Sequence, residues 1–408
     1  MTFEVRELGM EFFEDIVRVY NAAFGEEHQA DVVDAIRPLF ETGRTLGAFD
    51  GPDMVGLVTS NGFDLSVQGG DIPTAAVTGV ATIPTHRRRG VMRLLLEPQL
   101  TDFHERGLPL AALWASEAPI YQRFGYGHGA LAGSFNIDRQ YTAILRPAEP
   151  RGRARLVDKA TALKAFPSIY DRVRPTRAGM PARDEMWWEF VMRDLPSERE
   201  GASPNFYVLY ETPDGADGYV VYRIREGGSE EAFLHGHTLI VEELVAATAD
   251  AYAALWTYCF GVDLVGKVTG WKRPVDEPLL HLLAEPRALR LSVRDGMWLR
   301  IVDVAAALAG RRYGFEGTVT MEITDPDCPW NEGRYRLEGG PEGAGCSKTD
   351  AQPDLAMDAS TLASVYLGAV RLPVLAAAGR VEERTPGSVE RADRMFATTA
   401  APWCPHIF

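Results

Sequence analysis

Cysteine is scarce in this sequence: Cys259, Cys328, Cys346 and Cys404 are the four in 408 residues. No two are spaced like a zinc knuckle or a redox pair, and a disulfide framework for so long a chain would need more. A reducing cytoplasm is the expected setting. Long apolar runs are missing too. No stretch approaches the roughly 18 residues of a membrane-crossing helix, and the charged start, MTFEVRELGMEFFEDIVRVY, has no signal-peptide core. Positive charge is in deficit, with 42 Lys and Arg against 57 Asp and Glu and a net charge of −15. A duplex-binding protein carries a basic stripe, so no nucleic-acid partner is expected. An acidic field instead steers polyamines or basic peptides inward. The histidines show no HExxH spacing. His235 and His237 would share one face of a strand, but no third ligand accompanies them, and no metal is expected.

The hydrophobic fraction of 46% is ample for several cores, and the length corresponds to two or three domains. Residues 12–24, FFEDIVRVYNAAF, have helical periodicity and stop at Gly25. Residues 45–49 and 54–59 flank a turn, Asp50 to Asp53, and read as a hairpin. Residues 75–83 form a buried strand in which Gly79 signals a bulge. A basic turn follows, then a helix to Gly107 that Pro98 should kink, then a buried strand at 110–115. RPAEPRGRAR, at 146–155, reads as a linker. Helices are expected at 158–173, 183–194 and 241–259, with strands at 206–211, 218–226, 231–240 and 263–269. A third unit begins near 290, with a helix at 301–310, strands at 315–323 and 332–338, and a helix after the Gly-rich turn at 339–345. The fold class is α+β, divided as 1–145, 146–289 and 290–408.

Chemistry concentrates in VTGVATIPTHRRRGVMRLLL, residues 77–96. A buried strand runs through a turn into a helix. The start of a helix presents unpaired N–H groups and positive dipole, a natural phosphate site. Gly90 lets a ligand approach the backbone, and Arg87, Arg88 and Arg89 add charge. GxGxxG is absent, so this is no dinucleotide fingerprint.

The segment resembles motif A of the GNAT acetyltransferases, whose Arg/Gln-x-x-Gly-x-Gly/Ala loop cradles the pyrophosphate of coenzyme A. Met92 departs from that pattern at its last position. ALWASEAPIYQRFGYG, residues 112–127, resembles the next GNAT strand and its Tyr-bearing helix. With THRRRG and the aromatic C-terminus, these segments resemble the Eis family, actinobacterial N-acetyltransferases with two GNAT-like units and a sterol-carrier-like domain. The resemblance implies acetyl-CoA contacts at Val80, Ala81 and Thr82, at Arg88, Arg89, Gly90, Val91, Met92 and Arg93, and at Ser116 and Glu117. It implies Tyr121 as general acid and the C-terminal carboxylate of Phe408 as general base. It also implies a homohexamer and acceptors that are aminoglycosides, other polyamines or protein lysines. The central unit has no RxxGxG loop of its own, so one cofactor site per chain is expected.

Chemistry is compatible with these roles. A phenol of pKa about 10 is protonated at neutral pH and can supply a leaving thiolate of pKa about 8.5. A terminal carboxylate is a weak base in water, and desolvation strengthens it. The tail APWCPHIF is apolar and should dock, and His406 is a rival base within it. A cationic acceptor needs carboxylates and aromatic faces. Glu26 and Glu27 could supply the first, Trp187 and Trp188 the second; surface acids and core packing are the alternative readings. The competing class is a lipid or sterol carrier, which would need an apolar tunnel in residues 290–408.

Overall fold

The computed structural model describes residues 3–42, 44–147, 149–227 and 236–408. Two mixed sheets of seven strands and a third of five carry the fold among these residues. The first runs Glu4–Leu8, Arg44–Asp50, Asp53–Val67, Gly70–Thr82, Leu110–Trp114, Met297–Ile301, Tyr126–His128. The second runs Ser292–Asp295, Leu131–Asp138, Val265–Arg273, His237–Ala246, Gly215–Arg225, Phe206–Thr212, Arg153–Val157. The third is built from Gly343–Lys348, Gly333–Gly340, Gly317–Thr324, Leu355–Asp358 and Val381–Glu383. No helix among the described residues is long and apolar enough to cross a membrane.

The sheets do not follow the sequence divisions at 145/146 and 289/290. Strand Leu131–Asp138 leaves the first unit and pairs with Val265–Arg273 in the second sheet. Strand Met297–Ile301 returns to the first sheet and fills the gap between Leu110–Trp114 and Tyr126–His128, antiparallel to both. The two crossings pass each other closely. Gly129 and Ala130 donate N–H to the Met297 carbonyl, each at 2.9 Å, and Gly296 donates to Ala130 at 3.1 Å. A Cβ on Gly296 would stand 2.9 Å from the Ala130 carbonyl oxygen, and one on Gly129 would stand 2.9 Å from the Leu299 Cβ. The crossing therefore needs glycine on both chains.

Arg300 locks the returned strand. It is 0% exposed and forms a double ion pair with Asp325, itself 1% exposed, at 2.8 and 2.6 Å. Asn331 donates to the same carboxylate at 2.9 Å. Gly125, at φ +76°, makes room, since its Cβ would lie 2.6 Å from the guanidinium carbon.

The first helix, Phe13–Phe24, buries Phe13, Ile16, Val19 and Ala23 and ends at Gly25 with φ +68°, as its periodicity predicts. Helix Ala30–Thr42 was not anticipated, and helix Val91–Glu105 runs through Pro98. The helix expected at 241–259 begins later: strand His237–Ala246 continues through the branched run around Val241, and helix Ala249–Gly261 starts at a Thr248 cap. Residues 231–235, including His235, lie outside the described residues.

Because Asp325 compensates a sealed guanidinium, Asp325→Ala should destabilise the protein by about 3–5 kcal/mol, the usual cost of leaving one buried charge unpaired. Urea unfolding of the variant and the parent measures this difference.

Candidate active site

The parallel pair at the centre of the first sheet is short. Thr74, Ala75 and Ala76 face Leu110, Ala111 and Ala112, and pairing ends there although the strands continue to Thr82 and Trp114. On the other side of strand Gly70–Thr82, the register slips between Leu57↔Ala81 and Thr59↔Thr78. Gly79 lies in the slip with φ +60°, the bulge expected there, and a left-handed residue is least costly as glycine. The bend opens a cleft along Val77–Thr82, with Val80 and Thr82 half-buried and Ala81 buried.

The cleft leads to the basic turn. Arg88 and Gly90 are both left-handed, with φ of 60° and 86°. Helix Val91–Glu105 starts at Gly90 without any side-chain cap. A Cβ on Gly90 would meet nothing within 4 Å, so the space before the helix end is open. Free first-turn N–H groups and positive dipole fit the phosphates of coenzyme A.

The arginines divide their work. Arg87 donates to the carbonyls of Ala23 and Thr82, tying the turn to the end of the first helix. Arg89 lies over the Phe3 ring at 5.1 Å and 3.9 Å from Asp50. Arg93 bridges Glu97 at 2.8 Å and Asp327 at 2.9 Å. These three side chains brace the turn, and Arg88, exposed like them, is left as the cation beside the helix end. Val91 is buried and Met92 half-buried in the core beneath.

Past Trp114, Ser116 and Glu117 are exposed, and Glu117 stands at the start of helix Ala118–Gln122. This short helix buries Tyr121 to 4% exposure against Tyr126, ring centroids 5.9 Å apart. Burial pushes the Tyr121 phenol up to about 12, with Ser116 hydrogen-bonded to it and opposing the shift, and the charge of Glu117 adding to it. Tyr20 also acts on it. Tyr20 was missed in the sequence; its signal was an aromatic pair with Phe24 one helical turn on, and those rings lie 4.6 Å apart. Glu26 and Glu27 are exposed just beyond. Glu26 lies 3.5 Å from His28, and with burial it raises the Tyr20 pKa.

The C-terminal tail docks beside this cleft. Trp114 donates its indole N–H to the His406 carbonyl at 3.0 Å. Phe408 is buried with its ring 4.8 Å from Phe63. Trp187 is buried beside them, 6.1 Å from Phe63 and 5.9 Å from His406. Trp188 is not beside them: it packs on Tyr170 in the core of the second sheet, with Arg183 over its ring. His406 is sealed. Burial, then the charges of Arg183 and Lys272, hold its pKa well below the ordinary value, so the ring is neutral at pH 7. No cluster of potential metal ligands occurs among the described residues.

Residues 4–129 and 179–301 each match the acetyltransferase (GNAT) domain, and 304–405 match the sterol carrier protein domain. The fold and cleft thus define an acyltransferase of the GNAT class, whose domains imply acetyl-CoA as donor. An uncharacterized N-acetyltransferase of Streptomyces avermitilis is 37% identical over the full length of both chains. N-acetyltransferase Eis of Mycobacterium tuberculosis is 35% identical over 86% of this chain and 85% of its own. The crystal structure of Eis1 from Mycobacterium abscessus superposes with a TM-score of 0.85 at 34% identity, over 99% of this chain and 100% of that one. The chain belongs to the Eis family of N-acetyltransferases.

A side chain at residue 90 must adopt φ +86°, which L residues disfavour by roughly 1–2 kcal/mol. Gly90→Val should therefore distort the helix start and raise the KM for acetyl-CoA at least tenfold in a folded protein. Steady-state kinetics with acetyl-CoA varied checks this.

Proposed function

We propose that the chain transfers acetyl from acetyl-CoA to primary amines of cationic small molecules, aminoglycosides and other polyamines among them. The carrying observation is Tyr121, a buried phenol held protonated beside the open end of the cleft. In the reaction the Phe408 carboxylate takes a proton from the acceptor ammonium. The freed amine nitrogen attacks the thioester carbonyl, and backbone N–H groups along Val80–Thr82 stabilise the oxyanion. The carbon–sulfur bond breaks, Tyr121 donates its proton to the departing thiolate, and the nitrogen gives up its second proton, which restores the Tyr121 phenol and leaves the neutral amide. Desolvation among Phe63, Trp187 and His406 strengthens the terminal base.

Acceptor class is supported by a cavity of about 890 Å³ between helix Ala30–Thr42 and helix Glu185–Val191. Leu39, Met186 and Phe190 supply apolar wall, and Asp184, Glu185, Glu189 and Asp194 outnumber Lys159 and Arg193 among its charges. Such a volume suits a whole small molecule, favouring that class over a protein lysine. Glu26 and Glu27 do not line this cavity. In the third unit a cavity of about 170 Å³ is bordered by the Arg371–Asp393 ion pair, too small and polar for a sterol. The acetyltransferase match of residues 4–129 favours the enzyme over the carrier. A cytoplasmic homohexamer completes the proposal, and the four unpaired cysteines suit a reducing compartment.

Tyr121→Phe should keep acetyl-CoA binding and lose about 10²–10⁴ in kcat, the span of a positioned proton donor; near-normal turnover would return Tyr121 to core packing. The pKa of about 12 adds a pH expectation: the acid stays protonated as pH rises from 7 to 10, so kcat shows no fall from its ionisation there. Extending the chain beyond Phe408 replaces the carboxylate by a neutral amide. It should abolish transfer with acetyl-CoA still bound, as free-thiol release and isothermal calorimetry would report.

A further inference from the structure

The second sheet has an opening of its own, and the tail fills it. Strands His237–Ala246 and Val265–Arg273 pair in parallel from His237↔Val265 to Val241↔Gly270 and no farther, much as the first sheet opens past Ala76. The following helix differs from its counterpart. Thr248 caps helix Ala249–Gly261 by accepting from the Ala251 N–H at 3.2 Å, so the anion site that Gly90 leaves open is closed here. Arg273 spans the opening and donates to the Leu244 carbonyl at 2.9 Å. Pro405, His406 and Ile407 line the remaining space, about 180 Å³, with Glu242, Glu243 and Lys272.

Beneath Glu243 and His406, the Arg183 side chain is 0% exposed. It grips Glu243 at 3.0 and 2.6 Å, and Tyr219 donates to that carboxylate at 2.6 Å. The Arg183 guanidinium stacks 4.1 Å from the Tyr170 ring centroid and donates to Nδ1 of His406 at 3.0 Å. That contact makes Nδ1 the acceptor, so the ring proton sits on Nε2. His406 is therefore fixed twice: its ring by Arg183, which is anchored on Glu243 of the second sheet, and its carbonyl by Trp114 of the first. The chain ends two residues later.

We infer that Arg183 and His406 are positioning residues for the terminal carboxylate, and that the second unit's cleft serves to hold the base instead of a second cofactor. This rests on the reading of Phe408 as the base. An error of about 1 Å in a reacting group costs on the order of 10²-fold in rate, and two hydrogen bonds on His406 remove the freedom that would allow it.

His406→Leu deletes the ring acceptor without stranding the Arg183–Glu243 pair. It should lower kcat about 10²-fold, with the KM for acetyl-CoA and the thermal midpoint unchanged. His406→Asn restores an acceptor near the Nδ1 position but cannot titrate, and should regain most of the lost kcat. Normal kcat in His406→Leu would overturn the inference. So would loss in both variants, which would make His406 the base, or loss accompanied by a lowered midpoint, which would make the contact merely structural. The chain extended beyond Phe408 separates the two readings. If it is inactive while His406→Leu is normal, the base stands and the positioning role falls. If it is fully active, the base reading fails first.

Discussion

Strand Met297–Ile301, returned to the first sheet and sealed there by Arg300 and Asp325, is the constraint from which the active architecture follows. Without it, Leu110–Trp114 would be an edge, and edges are weak and exposed. With it, that strand is held on both sides near its start, and its far end is free to part from Gly70–Thr82. The cleft can therefore be open where a ligand needs it and rigid where the sheet must hold. The exchange also fixes where the third unit begins, so that the last residues of the chain run back between the two sheets.

The two sheets show how one local geometry takes different roles. Each carries a parallel pair that separates partway along its length. In one, an uncapped helix start and a left-handed glycine leave donors available. In the other, Thr248 consumes a donor and buried side chains span the gap. Desolvation cost explains the second: a buried Arg183 is tolerable only with Glu243 and Tyr219 around it, and that network meets the tail at His406. Burial works against the Arg183 charge, but Glu243 outweighs it and keeps it.

Much of the site was legible because it is local. Strand, bulge, turn and helix across residues 77–96 follow from periodicity, a glycine and a helix start, and Tyr121 lies in a segment with its own signature. The first helix and its stop at Gly25 were legible for the same reason. Side-chain commitments were not. Arg87, Arg89 and Arg93 look equivalent to Arg88 in sequence, yet their partners, Ala23, Phe3 and Asp327, lie far away along the chain. Trp187 and Trp188 are adjacent in sequence, yet successive helical residues point in different directions, and they enter different cores.

By itself the sequence determined the class of chemistry. An acidic, cysteine-poor chain with a strand, a basic glycine turn and a helix can bind phosphate at backbone, which depends on spacing within about twenty residues, and the resemblance of residues 77–96 and 112–127 to the GNAT acetyltransferases named the transfer. Only the tertiary structure decided which strands share a sheet, which arginines are tied to partners, and where the last residues dock. Those outcomes depend on contacts between residues hundreds of positions apart, such as Trp114 with His406. A linear pattern carries no distance information of that kind, and the burial that lowers the His406 pKa and raises the Tyr121 pKa exists only once the sheets have closed around them.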